Sequence, residues 1–538
     1  MHSRPGRVAI HEQFAADGFE YMFGNPGTVE QGFLDALGES DLQYVLTLHE
    51  TVAVGMADGY ARAGQRPGLV QLHSSVGLGN AVGMLYQAKR GGSPLVVLVG
   101  DAGVRYDAMD AQMAADLVGM ARPVTKHATR VTDPSSVLRV LRRAVRTAMT
   151  PPCGPVVVVL PADVLDAPNH EPVVPTTIPS TRVAPEPAVV ADVASRLLEG
   201  ERRLVLVGDG VAAAGAQREL TAVAEQLGAP VWGVNSSEVN FDTGHRLYGG
   251  ELGHMFGSVS EGVVRDADSV LIVGTYVFPE VFPNLASPFH PDARIVHVDL
   301  DAAEIGKNFP VDVGVVADPK LTLAALAAEL WRQRPAGPGP DRFPAGAEPR
   351  RPEPAEPEGL LGRFARALGE RVEDLVVFDE ALTASPEVLQ GLPPRYPGRF
   401  FQTRGGSLGV GIPGALGAKL ARPDEPVVGF TGDGASMYTI QALWTAARYG
   451  IDAAFVVCNN GRYRLLDHNL EQYRAEQGVA PHDFPEAFDL RGPDIGFAEL
   501  AEAMGVAGLR VRTCGDVDAA VEAVLTRPGP LLVDVAVE

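Results

Sequence analysis

Short apolar runs alternate with longer helix-like stretches along most of the 538 residues. In the first third, four runs read as buried strands: FEYMFG (19–24), QYVLTL (43–48), PGLVQL (67–72) and PLVVLVG (94–100). Runs that are apolar throughout predict strands covered on both faces, and strands that alternate with helices form parallel sheets. The sequence therefore predicts an α/β protein built from doubly wound parallel sheets.

Two proline-rich segments divide this pattern into three blocks, which is the number of domains expected for a chain of this length. They are residues 167–187 and 332–359, and both are predicted to be linkers, the second of them exposed on the surface. The predicted domains are 1–166, 188–331 and 360–538. Apolar runs at 203–210, 269–274 and 294–301 repeat the strand pattern in the second block, and runs at 426–434, 452–460 and 530–537 repeat it in the third.

The net charge of −22 argues against nucleic acid as a partner, because such proteins need a basic surface. The first residues lack the apolar run of a signal peptide, and no uncharged run is long enough to span a membrane. The cysteines Cys153, Cys458 and Cys514 form neither a disulfide framework nor a zinc pattern. We therefore expect a cytoplasmic protein with no membrane partner.

The strongest chemical signal is GFTGDGASM (429–437) followed by VVCNNGRY (456–463), each placed directly after an apolar run. The spacing between them accommodates one helix and one strand, so Asp433 and Asn460 should end neighbouring parallel strands and face one crevice. Carboxylate, amide and carbonyl oxygens are suited to Mg²⁺ that also binds phosphate groups. The glycines let the backbone approach a diphosphate, and a helix predicted to begin near Ser436 offers free N–H groups to it.

Three further motifs are ambiguous when each is considered alone. Glu50 opens a helix after an apolar run, where an acidic residue commonly complements the helix dipole. RGGSLGVGIPGALGA (404–418) could be a glycine-rich loop that enters a helix. Thr28 and His73 follow two predicted strands, and a single histidine on a loop is usually a solvated residue.

Together these motifs resemble the thiamine-diphosphate-dependent enzymes, in the branch of pyruvate decarboxylase, acetolactate synthase and benzoylformate decarboxylase. GDG followed at this spacing by NN resembles the cofactor motif of that superfamily. The three blocks resemble, in order, its pyrimidine-binding, central and diphosphate-binding domains. The resemblance implies thiamine-diphosphate-binding folds for the first and third domains, a Rossmann-like central domain, and thiamine diphosphate with Mg²⁺ as cofactors. It also implies a homodimer or homotetramer with active sites between subunits.

The resemblance assigns roles to individual residues. Mg²⁺ would bind Asp433, Asn460 and the carbonyl of Arg462. Glu50 would hydrogen-bond the pyrimidine ring and promote removal of the C2 proton, a task that needs a carboxyl group in an apolar slot. The other predicted contacts of the cofactor are Gly406 through its carbonyl, Leu408 as a wedge beneath the bent cofactor, and Gly432, Gly434, Ala435 and Ser436.

The sequence around Thr28 and His73 resembles benzoylformate decarboxylase, in which a serine binds the substrate carboxylate and a histidine transfers protons. Thr28 keeps the hydroxyl group, and His73 is a candidate acid and base. One departure is that GTYVFPEVF (274–282) lacks the second histidine of that enzyme; His254 is a possible substitute. The segment 294–308 resembles a region near FAD in acetolactate synthases, but FAD is not expected.

These observations predict non-oxidative decarboxylation of a 2-oxo acid through a carbanion at C2 of the cofactor. The alternative is a carboligase of the acetolactate synthase type, which joins the same intermediate to a second carbonyl compound. A non-catalytic relative is disfavoured because Glu50 and both cofactor motifs are intact. A nucleotide-binding oxidoreductase is disfavoured because VLVGDGVAAAG (205–215) lacks the GxGxxG spacing.

Overall fold

The computed structural model describes residues 3–335, 343–349 and 359–537. Parts of the predicted second linker, 336–342 and 350–358, lie outside the described residues. Contacts group the chain into two units: Met1–Pro179 with Pro357–Leu392 and Thr403–Glu538, and Ser180–Glu356 with Pro393–Gln402. Three parallel sheets are present, so the predicted α/β class is confirmed.

The first sheet is six-stranded with the order β3-β2-β4-β5-β7-β6, and all its pairs are parallel. Its strands are β2 (Tyr21–Gly24), β3 (Gln43–Leu46), β4 (Gly68–Leu72), β5 (Leu95–Asp101), β6 (His127–Arg130) and β7 (Val156–Pro161), while β1 (Arg4–Pro5) pairs with β8 (Pro168–Asn169). The helices are α1 (Gly6–Ala16), α2 (Gln31–Asp35), α3 (Glu50–Gly64), α4 (Ser74–Gly91), α5 (Leu117–Ala121), α6 (Val137–Met149) and α7 (Ala162–Asp166). The strand order reverses between β2 and β4, where doubly wound folds open a binding crevice.

The central sheet has the order β11-β10-β9-β12-β13-β14, also with parallel pairs throughout. Its strands are β9 (Arg203–Val207), β10 (Val231–Gly233), β11 (Tyr248–Glu251), β12 (Ser269–Val273), β13 (Arg294–Asp299) and β14 (Val313–Val316). Its helices are α8 (Pro187–Glu199), α9 (Gly210–Ala214), α10 (Gln217–Leu227), α11 (Gly257–Val264) and α12 (Pro319–Gln333). Apolar clusters cover both faces of this sheet, as its uninterrupted apolar strands require.

Five strands of the third sheet run parallel in the order β15-β17-β18-β20-β19. The strands of this part are β15 (Val376–Glu380), β16 (Phe400–Gln402), β17 (Val427–Gly432), β18 (Ala454–Asn459), β19 (Ala507–Val511) and β20 (Leu531–Ala536). The helices are α13 (Leu360–Arg371), α14 (Ser385–Gly391), α15 (Gly411–Ala421), α16 (Asp433–Ser436), α17 (Ala442–Tyr449), α18 (Arg464–Gln477), α19 (Phe497–Ala503) and α20 (Val517–Thr526). Among the described residues, no helix combines the length and apolarity needed to cross a bilayer.

The expected start of a helix near Ser436 is wrong, because α16 begins earlier, at Asp433. The Asp433 side chain accepts from the amide of Gly434 at 2.7 Å, and Ser436 Oγ donates to the Asp433 carbonyl at 2.7 Å. These two bonds close a single helical turn directly after β17. The longer helix, α17, follows six residues later.

The first and third domains pack against each other through α3 and α15. The contacts run from Gly55 with Pro413 to Gly64 with Ala421, so the helices point in the same direction and begin at the same end. A Cβ atom on Gly59 would lie 2.0 Å from the Gly414 carbonyl oxygen, which leaves no room for a side chain. The two domains therefore approach at backbone distance.

We expect Gly59→Ala to destabilise the protein by roughly 1–3 kcal/mol or more, because the added methyl group must separate two backbones. Urea unfolding followed by circular dichroism measures the effect. Gly262→Ala in α11 is the matched control, since a Cβ atom there meets nothing within 4 Å and the residue is exposed. An unfolding midpoint of Gly59→Ala equal to that of the control would contradict close packing of the helices.

Candidate functional site

The residues singled out in the first and third domains all follow the carboxyl ends of strands. Thr28, Glu50 and His73 follow β2, β3 and β4. In the third domain, the loop 404–410 follows β16, while Asp433 and Asn460 follow β17 and β18. This edge is where open α/β sheets bind ligands, so the fold places the predicted residues at two crevices of one unit.

Glu50 is the first residue of α3 and is only 5% exposed. Its two carboxylate oxygens accept from side-chain amides, one from Asn25 at 3.3 Å and the other from Asn80 at 3.0 Å. A Cβ atom on Gly77 would come within 3.0 Å of the same carboxylate, so that glycine leaves space for it. The structure thus holds a buried carboxyl group in a fixed position at the strand edge.

His73 is held by a carboxylate that the sequence analysis missed. The ring Nδ1 lies 3.0 Å from Glu30 Oε2 and 3.3 Å from Oε1. Burial raises the pKa of Glu30, and the neighbouring His73 opposes that shift. Glycines make room for the pair: a Cβ atom on Gly27 would lie 2.0 Å from His73 Nδ1, and one on Gly100 would lie 1.8 Å from Glu30 Oε1. Thr28, two residues before Glu30, is exposed.

Asp433 brings the two third-domain motifs together. Its Oδ2 atom accepts from the backbone amides of Asn460 at 3.0 Å, Gly461 at 2.6 Å and Arg462 at 3.3 Å. Burial raises the pKa of this carboxyl group, and the backbone amides counteract part of the shift by favouring the charged form. The turn after β18 is therefore fixed around the carboxylate that follows β17.

The donor set at this turn fits a hard cation. The Asp433 carboxylate, the Asn460 side-chain oxygen and the Arg462 carbonyl are all oxygen donors. Arg464 donates its amide to the Arg462 carbonyl at 2.9 Å, and Arg462 donates its own amide to Asn460 Oδ1 at 2.9 Å, so each oxygen keeps one further lone pair. Among the described residues, no cluster of three or more His, Cys, Asp or Glu side chains could hold a metal ion. The donor set at this turn is of a different kind, because Asp433 is its only side chain of those four types.

The glycine-rich loop at 404–410 exposes Gly406 and half-buries Leu408. Gly405, Gly406 and Gly409 have φ angles of +92°, +78° and +95°, a region that side chains rarely adopt. At Gly434, a Cβ atom would lie 2.3 Å from the Tyr463 ring, so the second glycine of GDG serves close packing. Gly432 has an open position instead, and Ala435 and Ser436 are buried.

Within the central unit, the structure brings His254 beside the stretch that lacks a histidine. The Val281 amide donates to the His254 carbonyl at 3.2 Å, and the His254 side chain is exposed. Glu280 is 6% exposed, and Ser260 Oγ donates to one of its carboxylate oxygens. The other oxygen has no hydrogen-bond partner among the described residues.

Comparison with known proteins agrees with this arrangement. Three models of thiamine pyrophosphate enzymes match: the N-terminal TPP binding domain at 5–120, the central domain at 190–326 and the C-terminal TPP binding domain at 385–535. Benzoylformate decarboxylase from Pseudomonas aeruginosa is 32% identical, with 98% of each chain covered. The acetolactate synthase large subunit of Parasynechococcus marenigrum is 30% identical, with 99% of this chain and 87% of that one covered.

Among solved structures, the thiamine diphosphate-dependent 4-hydroxybenzoylformate decarboxylase of Rhodococcus jostii RHA1 has a TM-score of 0.87 at 28% identity, with 99% of each chain covered. The fold and the matched domains define an enzyme that binds thiamine diphosphate. The chain belongs to the thiamine pyrophosphate enzyme family, and it is a decarboxylase or carboligase that depends on this cofactor.

Sequence reasoning missed the residues that hold the predicted ones in place. Glu30 lies two positions after Thr28, so its nearness in sequence was an available signal. Asn25 belongs to the same GNPG motif, but its contact with Glu50, 25 positions along the chain, is visible only in the tertiary structure. Asn80 and Gly77 lie in α4 and reach Glu50 only through tertiary packing, for which the sequence contains no pattern.

Proposed function

We propose that the enzyme decarboxylates a 2-oxo acid without oxidation and releases an aldehyde, and that it resembles benzoylformate decarboxylase in this reaction. The observation that carries the proposal is the His73–Glu30 pair beside Thr28, at the point where the first sheet reverses its strand order. Release of an aldehyde needs a proton delivered to the reacting carbon, and a positioned histidine can supply it at neutral pH.

The geometry of the pair suggests how the first domain works. Nδ1 of His73 faces Glu30, so Nε2 is the nitrogen that remains to exchange a proton with the substrate. Glu30 would orient the ring and stabilise its protonated form. The exposed hydroxyl group of Thr28 would donate to the substrate carboxylate.

The cofactor would be held by the remaining predicted residues. When bound, thiamine diphosphate supplies a carbon nucleophile and an acceptor for the electrons that decarboxylation leaves behind. Asp433, Asn460 and the Arg462 carbonyl would bind Mg²⁺, which would bind the diphosphate in turn. Gly432, Gly434, Ala435 and Ser436 would line the diphosphate, while Leu408 and the Gly406 carbonyl would fix the shape of the cofactor.

Glu50 would hold a proton for the pyrimidine ring. The amides of Asn25 and Asn80 fix its two oxygens, and Gly77 leaves the room that this position requires. Because the carboxyl group is buried, an exchange of its proton with the ring would proceed without competition from water.

Carboligation of the acetolactate synthase type is the second candidate. The stretch 274–282 lacks the histidine that the resemblance to benzoylformate decarboxylase leads us to expect there, so proton delivery would differ from that enzyme's. Slow protonation would leave time for a second carbonyl compound to react. The relation to an acetolactate synthase at 30% identity agrees with this alternative.

A product analysis decides between the two reactions. Purified protein with thiamine diphosphate and Mg²⁺ is given benzoylformate, 4-hydroxybenzoylformate, pyruvate or 2-oxobutanoate, and CO₂, aldehyde and hydroxyketone are quantified. We expect aldehyde and CO₂ in equal amounts for at least one substrate. CO₂ in excess of aldehyde, with accumulation of a ligated product, would show the carboligase instead.

The same assay tests the role of His73. We expect His73→Ala to slow aldehyde release by about 10²-fold or more, which is the usual contribution of a general acid. His127→Ala is the matched control, since this exposed histidine starts the edge strand β6 of the same sheet, away from the ends of β2 and β4. Equal aldehyde release by the two variants would remove His73 from the proposal.

Glu50→Gln keeps the shape of the side chain and loses its titratable proton. We expect exchange of the C2 proton of bound thiamine diphosphate with deuterated solvent to slow by at least about 10²-fold. Acid quenching followed by proton NMR measures the rate. The rate is measured at saturating thiamine diphosphate, so weaker binding of the cofactor cannot account for slower exchange. Exchange as fast as in the wild-type enzyme would exclude the proposed role.

We further propose that each active site combines Glu50 of one chain with Asp433 of another, in a dimer or tetramer. Large apolar side chains lie exposed near both crevices: Leu48 and Val76 in the first domain, and Met437, Tyr438 and Leu466 in the third. Exposed apolar surface of this kind favours burial in an interface between subunits. The alternative is a site within one chain. It is supported by the packing of α3 and α15, which begin at the same end of the unit and so place Glu50 and the loop before α15 at that end.

Mixing two inactive variants distinguishes these arrangements. In a mixed dimer of Glu50→Gln and Asp433→Ala, an intersubunit site pairs the intact Glu50 of one chain with the intact Asp433 of the other, while the second site is doubly broken. Two-tag purification of mixed dimers should recover about half the wild-type specific activity, since one of two sites is whole. Verified mixed dimers without activity would establish an intrachain site.

A further inference from the structure

Glu380 is the last residue of β15, and its side chain is fully buried beneath the glycine-rich loop. One carboxylate oxygen accepts from the amides of Gly409 at 2.8 Å and Val410 at 3.1 Å. The other accepts from the amide of Gly411 at 2.8 Å and from Thr431 Oγ1 at 3.1 Å. Three consecutive backbone amides therefore converge on one side chain, directly after Leu408.

The loop is held at its other positions as well. The Thr403 amide donates to the Asp379 carbonyl at 3.0 Å, so the end of β15 contacts both ends of the loop. Gln87 Nε2, from α4, donates to Thr403 Oγ1 at 3.1 Å. Thr439 Oγ1 donates to the Gly409 carbonyl at 2.7 Å, so both polar backbone atoms of Gly409 are occupied. The backbone on either side of Leu408 has little freedom.

A carboxylate is a costly way to bind backbone amides in a protein interior. Burial raises the pKa of Glu380 to about 7, and its four hydrogen bonds oppose that shift. Val410 and Gly411 form the start of α15, where the helix dipole favours negative charge. Hydrogen bonds to a charged acceptor are stronger than neutral ones, so a carboxylate fixes this loop more tightly than a neutral group would.

We propose that Glu380 is a positioning residue, whose carboxylate sets the backbone from Gly409 to Gly411 and so presents Leu408 and the Gly406 carbonyl to the cofactor. The proposal rests on the role given to Leu408 and Gly406 in the proposed function. Glu380 itself touches neither substrate nor cofactor in this scheme. It acts only through the loop.

The test compares Glu380→Gln with Glu171→Gln. Glutamine offers one acceptor oxygen in place of two, and its NH₂ group would face backbone donors. Glu171 is the matched control, because it is also buried and also binds the start of a helix, accepting from the amides of Leu138 at 2.8 Å and Arg139 at 3.1 Å. A general loss of stability should be shared by both variants, and loss of loop position should be specific to Glu380→Gln.

Two readouts are taken. Hydrogen exchange in the protein without cofactor should become at least about tenfold faster for a peptide covering 404–411 in Glu380→Gln, and should stay unchanged there in Glu171→Gln. In the loaded enzyme, exchange of the C2 proton should slow by up to about 10²-fold at saturating thiamine diphosphate, because small misplacement of a reacting group costs that much.

The outcomes separate this proposal from the proposed function. If the wild-type protein does not bind thiamine diphosphate, the proposed function fails, and the exchange of the loop still decides whether Glu380 holds it. Unchanged exchange of 404–411 in Glu380→Gln would overturn the proposal, and so would a faster loop with an unaltered C2 rate. If Glu380→Gln does not fold, Glu380→Asp, which keeps the charge but is one methylene shorter, is judged by the same two measurements.

Discussion

The backbone contact between α3 and α15 is the constraint on which the functional parts of this protein depend. Gly59 and Gly414 allow the two helices to approach so closely that the first and third domains form one unit. Each helix begins beside a predicted site: Glu50 opens α3, and α15 follows the loop that contains Leu408. Interior packing transmits small displacements because it is dense, so a shift at this contact would move both sites.

Among the buried carboxylates of the first and third domains, four belong to the candidate site or its supports. Side-chain amides bind Glu50, a histidine faces Glu30, and backbone amides converge on Asp433 and on Glu380. Burial raises the pKa of three of these carboxyl groups: Glu30, Asp433 and Glu380. Groups with such shifts concentrate at functional sites, because they combine a fixed position with chemistry that a solvated acid lacks. The reaction proposed here uses a proton at Glu50, charge at Asp433 and geometry at Glu380.

Decarboxylation and carboligation would use the same proposed cofactor-binding residues, so in the proposed scheme the outcome would depend on how soon a proton reaches the reacting carbon. In the proposed reaction, His73, oriented by Glu30, would be the proton donor of the first domain. Within the central unit, the exposed His254 lies next to the stretch that contains the buried Glu280. A benzoylformate decarboxylase and an acetolactate synthase are both similar to this chain over almost its whole length, so overall similarity does not distinguish the two reactions.

The sequence by itself determined the α/β class and the placement of the candidate residues at the strand ends, because apolar runs and the GDG and NN motifs are local patterns with a fixed structural meaning. The family followed from the same motifs. Only the tertiary structure identified Asn80, Gly77 and Glu380, since each acts across an interval of sequence that no periodicity connects to its partner. Helix α16 began at Asp433 and not near Ser436, because hydrogen bonds of the Asp433 side chain and carbonyl closed the turn early. Local patterns fix which groups reach a strand end, whereas packing decides which neighbours hold them there.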